Sequence, residues 1–175
     1  MYKVRNLLFA QALKLIYHSL AGSKLRYGLI CWATANRSLL NRINVAHNRI
    51  ITCMSFSKRC SRMWPLYCKL KILPLDILIK IEHAKTMYKY QNKMLPAVFD
   101  TYFHKPTHSY ATRFASSNNF CLTHVSSAKE KTLLKYIGPS TWLSIPSHIK
   151  DSLSLKVFIH SYRNFLIGNY TEQLS

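Results

Sequence analysis

At 175 residues the chain can form one medium-sized domain, or one domain with a small appendage, around a real hydrophobic core. Apolar residues make up 49% of it and glycine is scarce, which is the composition of a folded chain and not of a disordered one. Against 25 Lys and Arg stand only 6 Asp and Glu, a net charge of +19, so a carboxylate-rich catalytic centre has little to be built from and an anionic partner is expected.

Phe9, Leu13, Ile16, Tyr17 and Leu20 recur at helical spacing and predict a first helix, which Gly22-Ser23 is expected to stop. Lys3 and Arg5 ahead of this run resemble the start of a signal peptide, but Gln11 and Lys14 interrupt it and no small-x-small cleavage site follows. The run is too short and too polar to span a bilayer. A basic, acid-free mitochondrial presequence is the competing interpretation of these residues; a first helix of an intracellular protein, nuclear or cytoplasmic, is the expectation taken here. Leu25–Ala35 is nearly all apolar and predicts a short buried helix. Leu39, Leu40, Ile43, His47, Ile50, Ile51 and Met54 then share one face at about 100° per residue, with Arg42 and Arg49 together off that face.

Ser57–Arg62 predicts a turn carrying Lys58, Arg59 and Arg62 with no acid to balance them. A helical piece starts at Trp64-Pro65 and ends near Leu73, and Pro74 opens a longer helix with Ile77, Ile81, Ala84 and Tyr88 on its buried stripe and Pro96 at its end. Lys105–Asn119 is rich in Ser, Thr and Asn, which suits a linker. Phe120–Val125 and Thr132–Ile137 are short β-like runs, Gly138-Pro139 a turn, and Ser154 the N-cap of a terminal amphipathic helix closed by Gly168. The expected fold is mainly α: a helical, bundle-like part over residues 1–103, a linker at 104–119, and a small β-hairpin plus helix over 120–175.

Charge is unevenly placed. Met1 to Leu75 contains thirteen basic residues and no Asp or Glu. The acids, Asp76, Glu82, Asp100, Glu130, Asp151 and Glu172, stand no closer than six positions apart, so no neighbouring pair is available to hold two metal ions for phosphoryl transfer. The five cysteines form no CxxC pair, and three of them fall within apolar or helical segments, which suggests reduced, buried thiols. His104-x3-His108 has half of a zinc-finger spacing without the cysteines, and no GxSxG nucleophile turn occurs. No catalytic residue, metal site or cofactor is expected.

Several ordered segments resemble a known family. Leu25-Arg26-Tyr27-Gly28-Leu29-Ile30-Cys31-Trp32 is similar to an L-x-Y-G-x-x-x-W segment of non-LTR (LINE-type, jockey-like) retrotransposon reverse transcriptases. Leu39–Ile51 resembles that family's Q-N-x-x-I helix, with His47 in the usual Gln place beside Asn48 and Ile51. Trp64-Pro65-Leu66-Tyr67 through Leu73, Met87-Tyr88-Lys89-Tyr90 to Leu95-Pro96, His108–Arg113, and Gly138-Pro139-Ser140-Thr141-Trp142 to Ile149-Lys150 continue the likeness in the family's order. The resemblance implies the thumb and the region after it, with residues 1–103 thumb-like. The family's Ala-Asp-Asp palm motif and Cys/His knuckle are absent from the sequence.

The function expected is therefore a non-catalytic C-terminal fragment of an RNA-directed DNA polymerase that keeps a basic nucleic-acid-binding surface. Arg37, Arg42, Arg49, Lys58, Arg59 and Arg62 are the expected phosphate contacts, and RNA or an RNA–DNA duplex, held by its backbone, the expected partner. A polymerase palm is a second candidate partner; no small-molecule substrate and no membrane are expected. A free-standing basic RNA- or DNA-binding module has the same charge signature, and a membrane-surface protein shares it less well, because the apolar residues are committed to a core.

Overall fold

A computed structural model describes residues 6–57, 61–105 and 119–172. The chain groups into two compact units, Met1–Leu78 and Ile79–Ser175. Every regular element among the described residues is helical, so the mainly α expectation holds and the β-hairpin does not. Most of the expected linker, the His108–Arg113 segment, and Lys58 and Arg59 lie outside the described residues.

In the first unit the backbone stays helical from Ala10 to Arg26: helix α1 (Ala10–Ile16), a π-helical stretch (Tyr17–Gly22) and helix α2 (Ser23–Arg26) follow without a break. Gly22-Ser23 is thus not the stop that the sequence suggested. The π stretch takes up the change of pitch, and Gly22 is buried there, where a Cβ would lie 3.4 Å from the Tyr17 carbonyl oxygen and 3.5 Å from its ring. Of the predicted apolar stripe only Leu13 and Tyr17 are buried; Phe9 and Leu20 face solvent. Nor is Leu25–Ala35 one buried helix. It breaks at Tyr27-Gly28, where Gly28 takes a left-handed φ of 60°, and resumes as α3 (Leu29–Trp32). That backbone conformation suits glycine and ends the helical run.

Helix α4 (Arg37–Met54) begins where the Asn36 side chain accepts a hydrogen bond from the Ser38 amide at 3.4 Å, an N-cap of ordinary kind. Of the predicted stripe, His47, Ile51 and Met54 are buried on its inner face, Leu40, Ile43 and Ile50 are half-buried, and Leu39, in the first turn, is exposed. Helix α5 (Met63–Leu70) tolerates Pro65 in its first turn, where no amide donor is needed, and closes with Lys71 in the left-handed region and the Ile72 amide bonded to the Tyr67 carbonyl at 3.1 Å. Leu13, Tyr17, Ile51, Met54, Leu66, Tyr67, Leu70 and Ile72 form one core cluster. Burying each aliphatic side chain of this kind contributes about 1.5–3 kcal/mol.

Helix α6 (Leu75–Gln91) contains the boundary between the units. Ile77, Ile81, Ala84 and Tyr88 are all buried, as predicted. It stops at Gln91, ahead of Pro96, because Lys93 turns left-handed and the Met94 amide bonds back to the Lys89 carbonyl at 2.8 Å.

The second unit is held by aromatic residues: Phe103, Phe120, Trp142, Phe158 and Tyr162 are buried and touch in series. Phe120–Val125 forms no regular element; the Cys121 amide bonds the His104 carbonyl at 2.8 Å. The second β-like run is the start of helix α7 (Leu134–Leu143), which runs through Gly138-Pro139. A run of only six residues fits either period, and tertiary contact decides it here. Glycine is needed because a Cβ at position 138 would lie 2.7 Å from Met87 Sδ and 3.3 Å from Phe103 Cε1. After α8 (Ser147–Lys150), Ser154 caps α9 (Leu155–Glu172) through its hydroxyl, which accepts the Val157 amide at 3.3 Å. Helix α9 continues past Gly168, which is exposed and helical and not a terminator. The cysteines were expected to be buried, yet Cys31 and Cys68 are exposed; Cys53 is buried. No helix among the described residues is long and apolar enough to cross a membrane.

Candidate nucleic-acid interface

Four of the six expected phosphate contacts lie among the described residues, and all four are exposed: Arg37, Arg42, Arg49 and Arg62. Two of them share a face. Arg42 and Arg49 stand seven residues apart on α4, two turns and about 10 Å along its axis, and within about 20° of one another around it. The inner face of α4 is fixed by His47, Ile51 and Met54, and that packing turns the two guanidinium groups outward. Arg37 is the first residue of α4, on a different side, and Arg62 sits at the N-cap of α5. Lys58 and Arg59 lie outside the described residues.

The electrostatics are one-sided. None of the four arginines pairs with a carboxylate among the described residues, where the ion pair found is Lys85 with Glu82 at 3.1 Å on α6. Asp76 is the sole acid in the sequence of the first unit. Arg37 opens α4 with no acid in its first turn, so a cation stands at the positive end of the helix dipole, a placement that an approaching anion relieves. In the π stretch between α1 and α2 the same field is felt by His18, whose pKa is lowered by burial first and by Arg26 and Lys14 next.

Behind this face is a polar chain that the sequence did not announce. Tyr67 donates its hydroxyl to Asn48 Oδ1 at 2.6 Å, and its oxygen lies 3.2 Å from His47 Nδ1. The other ring nitrogen, Nε2, lies 2.8 Å from the Tyr17 hydroxyl. With the Tyr67 proton committed to Asn48, Nδ1–H donates to Tyr67 and Nε2 accepts from Tyr17, a single ordered direction through a neutral imidazole. His47 is 1% exposed, and burial pushes its pKa down to about 4. Three elements, the π stretch, α4 and α5, are tied by it, so the outward angle of Arg42 and Arg49 is fixed from inside. The available signal was a histidine on an otherwise apolar helix face, a polar group that must find partners when buried.

The Gly-, Pro- and aromatic-containing segments singled out in the sequence have structural work within each unit. Trp32 Nε1 donates to the Tyr27 carbonyl at 3.1 Å across Gly28; His47, Asn48 and Tyr67 meet in the buried chain; Tyr88 donates to the Ser152 carbonyl at 2.7 Å; Trp142 is in the aromatic core. No grouping of three or more His, Cys, Asp or Glu side chains suited to a metal ion occurs among the described residues. The chain matches no family model, no curated protein and no solved structure.

Proposed function

We propose that this chain is a non-catalytic, thumb-like piece derived from a non-LTR retrotransposon RNA-directed DNA polymerase, and that it holds RNA or an RNA–DNA duplex by its phosphates. The observation that carries the binding half is the outward pair Arg42 and Arg49, without carboxylate partners among the described residues, in a unit whose sequence has one acid. Two guanidinium groups two turns apart on a rigid helix can each take a phosphate along a strand, and such contacts position a duplex without reading its sequence. Support for the derivation comes from the ordered segments between Leu25 and Lys150. Strand synthesis is assigned to a palm that this sequence does not encode, since its six acids include no adjacent pair.

The test is a binding titration of the purified chain with an RNA–DNA duplex in dilute and in moderate salt, beside a magnesium-dependent nucleotide-incorporation assay. Reversing charge at both Arg42→Glu and Arg49→Glu is expected to weaken binding at least tenfold with the fold retained, and no incorporation is expected. Undiminished affinity in the double variant removes the interface, and nucleotide incorporation by the chain alone removes the non-catalytic assignment.

A further inference from the structure

Between α2 and α3 the chain makes a turn whose backbone is held on both sides. The Tyr27 amide donates to the Ser23 carbonyl at 2.9 Å, and the Tyr27 carbonyl accepts from Trp32 Nε1 at 3.1 Å. The Gly28 carbonyl in turn accepts from the Cys31 and Trp32 amides at 2.8 and 3.2 Å. Gly28, with its φ of 60°, redirects the chain at this point, and no atom lies within 4 Å of where its Cβ would be. On this fixed turn the Tyr27 side chain is 87% exposed. A scattered exposed aliphatic residue needs no explanation. An aromatic ring held out from a hydrogen-bonded turn is a different object, because little conformational freedom is lost when something settles on its face.

What would settle there is constrained by charge. Lys24 and Arg26, both exposed, immediately precede the ring, and Lys14 and Arg26 are close enough to His18 to act on its titration. No acid occurs in the sequence before Asp76. A flat π-face among unopposed cations fits a ligand that is itself a flat ring on an anionic backbone. We infer that Tyr27 is a stacking platform for an unpaired nucleobase, with Lys24 and Arg26 taking the adjoining phosphates, so that the favoured ligand is a duplex with a single-stranded extension.

This deepens the function proposed above and rests on it. The experiment compares a blunt RNA–DNA duplex with the same duplex bearing a uridine overhang, by fluorescence anisotropy, for the unaltered chain, Tyr27→Ala and Tyr27→Phe. Thermal melts of all three check that the fold is kept, which the exposure of Tyr27 favours. The overhang is expected to tighten binding by about tenfold in the unaltered chain, a gain lost in Tyr27→Ala and kept in Tyr27→Phe. An overhang without effect, a gain that survives Tyr27→Ala, or a Phe variant as weak as Ala each overturns the stacking assignment. In those cases blunt-duplex binding that depends on Arg42 and Arg49 leaves the broader function standing, whereas failure to bind either duplex overturns both. Binding to anionic vesicles that is lost in Tyr27→Ala, with no overhang effect, also overturns it.

Discussion

The Tyr17 hydroxyl donates to Nε2 of His47 at 2.8 Å, joining the π-helical stretch to the middle of α4 across 30 residues of sequence. A hydroxyl donor on that nitrogen requires a neutral ring, and so the contact is linked to proton binding. Protonation would place two donors on the imidazole, set one of them against the Tyr17 proton, and leave a charge in the core of the first unit.

Acid is therefore expected to weaken the first unit in a defined window. The folded-state pKa of His47 is held down to about 4, below its ordinary 6.5, because burial penalises the charged form. Between these values the unfolded chain binds more protons than the folded one, so stability rises with pH from about 4 to 6.5 and is full above it. The loss on going from pH 7 to 4 is on the order of 3 kcal/mol. His18, in the same unit, is shifted in the same direction, chiefly by burial, and adds to the slope. Denaturant midpoints across this range measure it. His47→Gln, neutral at every pH, should flatten the curve; an equally steep curve in that variant removes His47 as the source.

The direction assigned to the hydrogen-bonded chain ranks two subtle substitutions. Tyr67→Phe strips an acceptor from His47 Nδ1–H and a donor from Asn48 Oδ1, whereas Tyr17→Phe leaves only the Nε2 lone pair unmet. An unsatisfied buried group costs about 1–3 kcal/mol, so Tyr67→Phe is expected to destabilise by roughly 2–4 kcal/mol and Tyr17→Phe by about 1–2. Equilibrium unfolding at pH 7 checks the order. If Tyr17→Phe proves the costlier change, the proton runs the other way.

Sequence pattern revealed helices where one face is buried over several turns, as from His47 to Met54 on α4 and from Ile77 to Tyr88 on α6. The stripes of α4 and α6 were legible because Ile51, Met54, Ile77, Ile81 and Ala84 follow the helical period without interruption. The outward position of Arg42 and Arg49 followed from the same period. Legibility failed where the decisive contact was distant in sequence. Gly138-Pro139 has the local chemistry of a turn, yet Met87 and Phe103 lie close enough to demand a glycine inside a helix. Gly22 and Gly168 were misleading for a related reason, since glycine signals a stop only where the backbone must leave helical φ, and both stay in it. Tyr27 was hidden by its segment: Leu25, Leu29, Ile30 and Trp32 made Leu25–Ala35 read as buried, and the break at Gly28 leaves the ring exposed.

The two helical glycines of the second unit should respond in opposite senses to alanine. Both changes gain up to about 1 kcal/mol in helix propensity. At Gly168 nothing lies within 4 Å of the new Cβ, so Gly168→Ala is expected to stabilise by about 0.5–1 kcal/mol. At Gly138 the new atom would meet Met87 Sδ at 2.7 Å, and Met87 is itself wholly buried. Overpacking of that kind costs about 1–3 kcal/mol, and although methionine is adaptable, Phe103 closes the same space. Gly138→Ala should therefore be destabilising on balance, by about 1 kcal/mol. Thermal melts of the two variants decide it; a stabilised Gly138→Ala chain would mean that α7 does not approach Met87 as closely as described.

Salt dependence distinguishes phosphate contact from general attraction. Each phosphate neutralised by a bound cation releases counterions and contributes about −0.9 to the slope of log Kobs against log salt on a B-form duplex, somewhat less on other forms. Arg42→Gln and Arg49→Gln together should therefore make the slope shallower by about 1.5–2, because each guanidinium faces outward with no carboxylate competing for it among the described residues. Lys156→Gln, an exposed cation on α9 in the second unit, alters the net charge without touching that face and should leave the slope unchanged. Titrations of a duplex at several salt concentrations give all three slopes. Equal slopes for the Arg42/Arg49 variant and the Lys156 variant would mean that the charge acts only as a diffuse field, with the outer face of α4 making no direct phosphate contact.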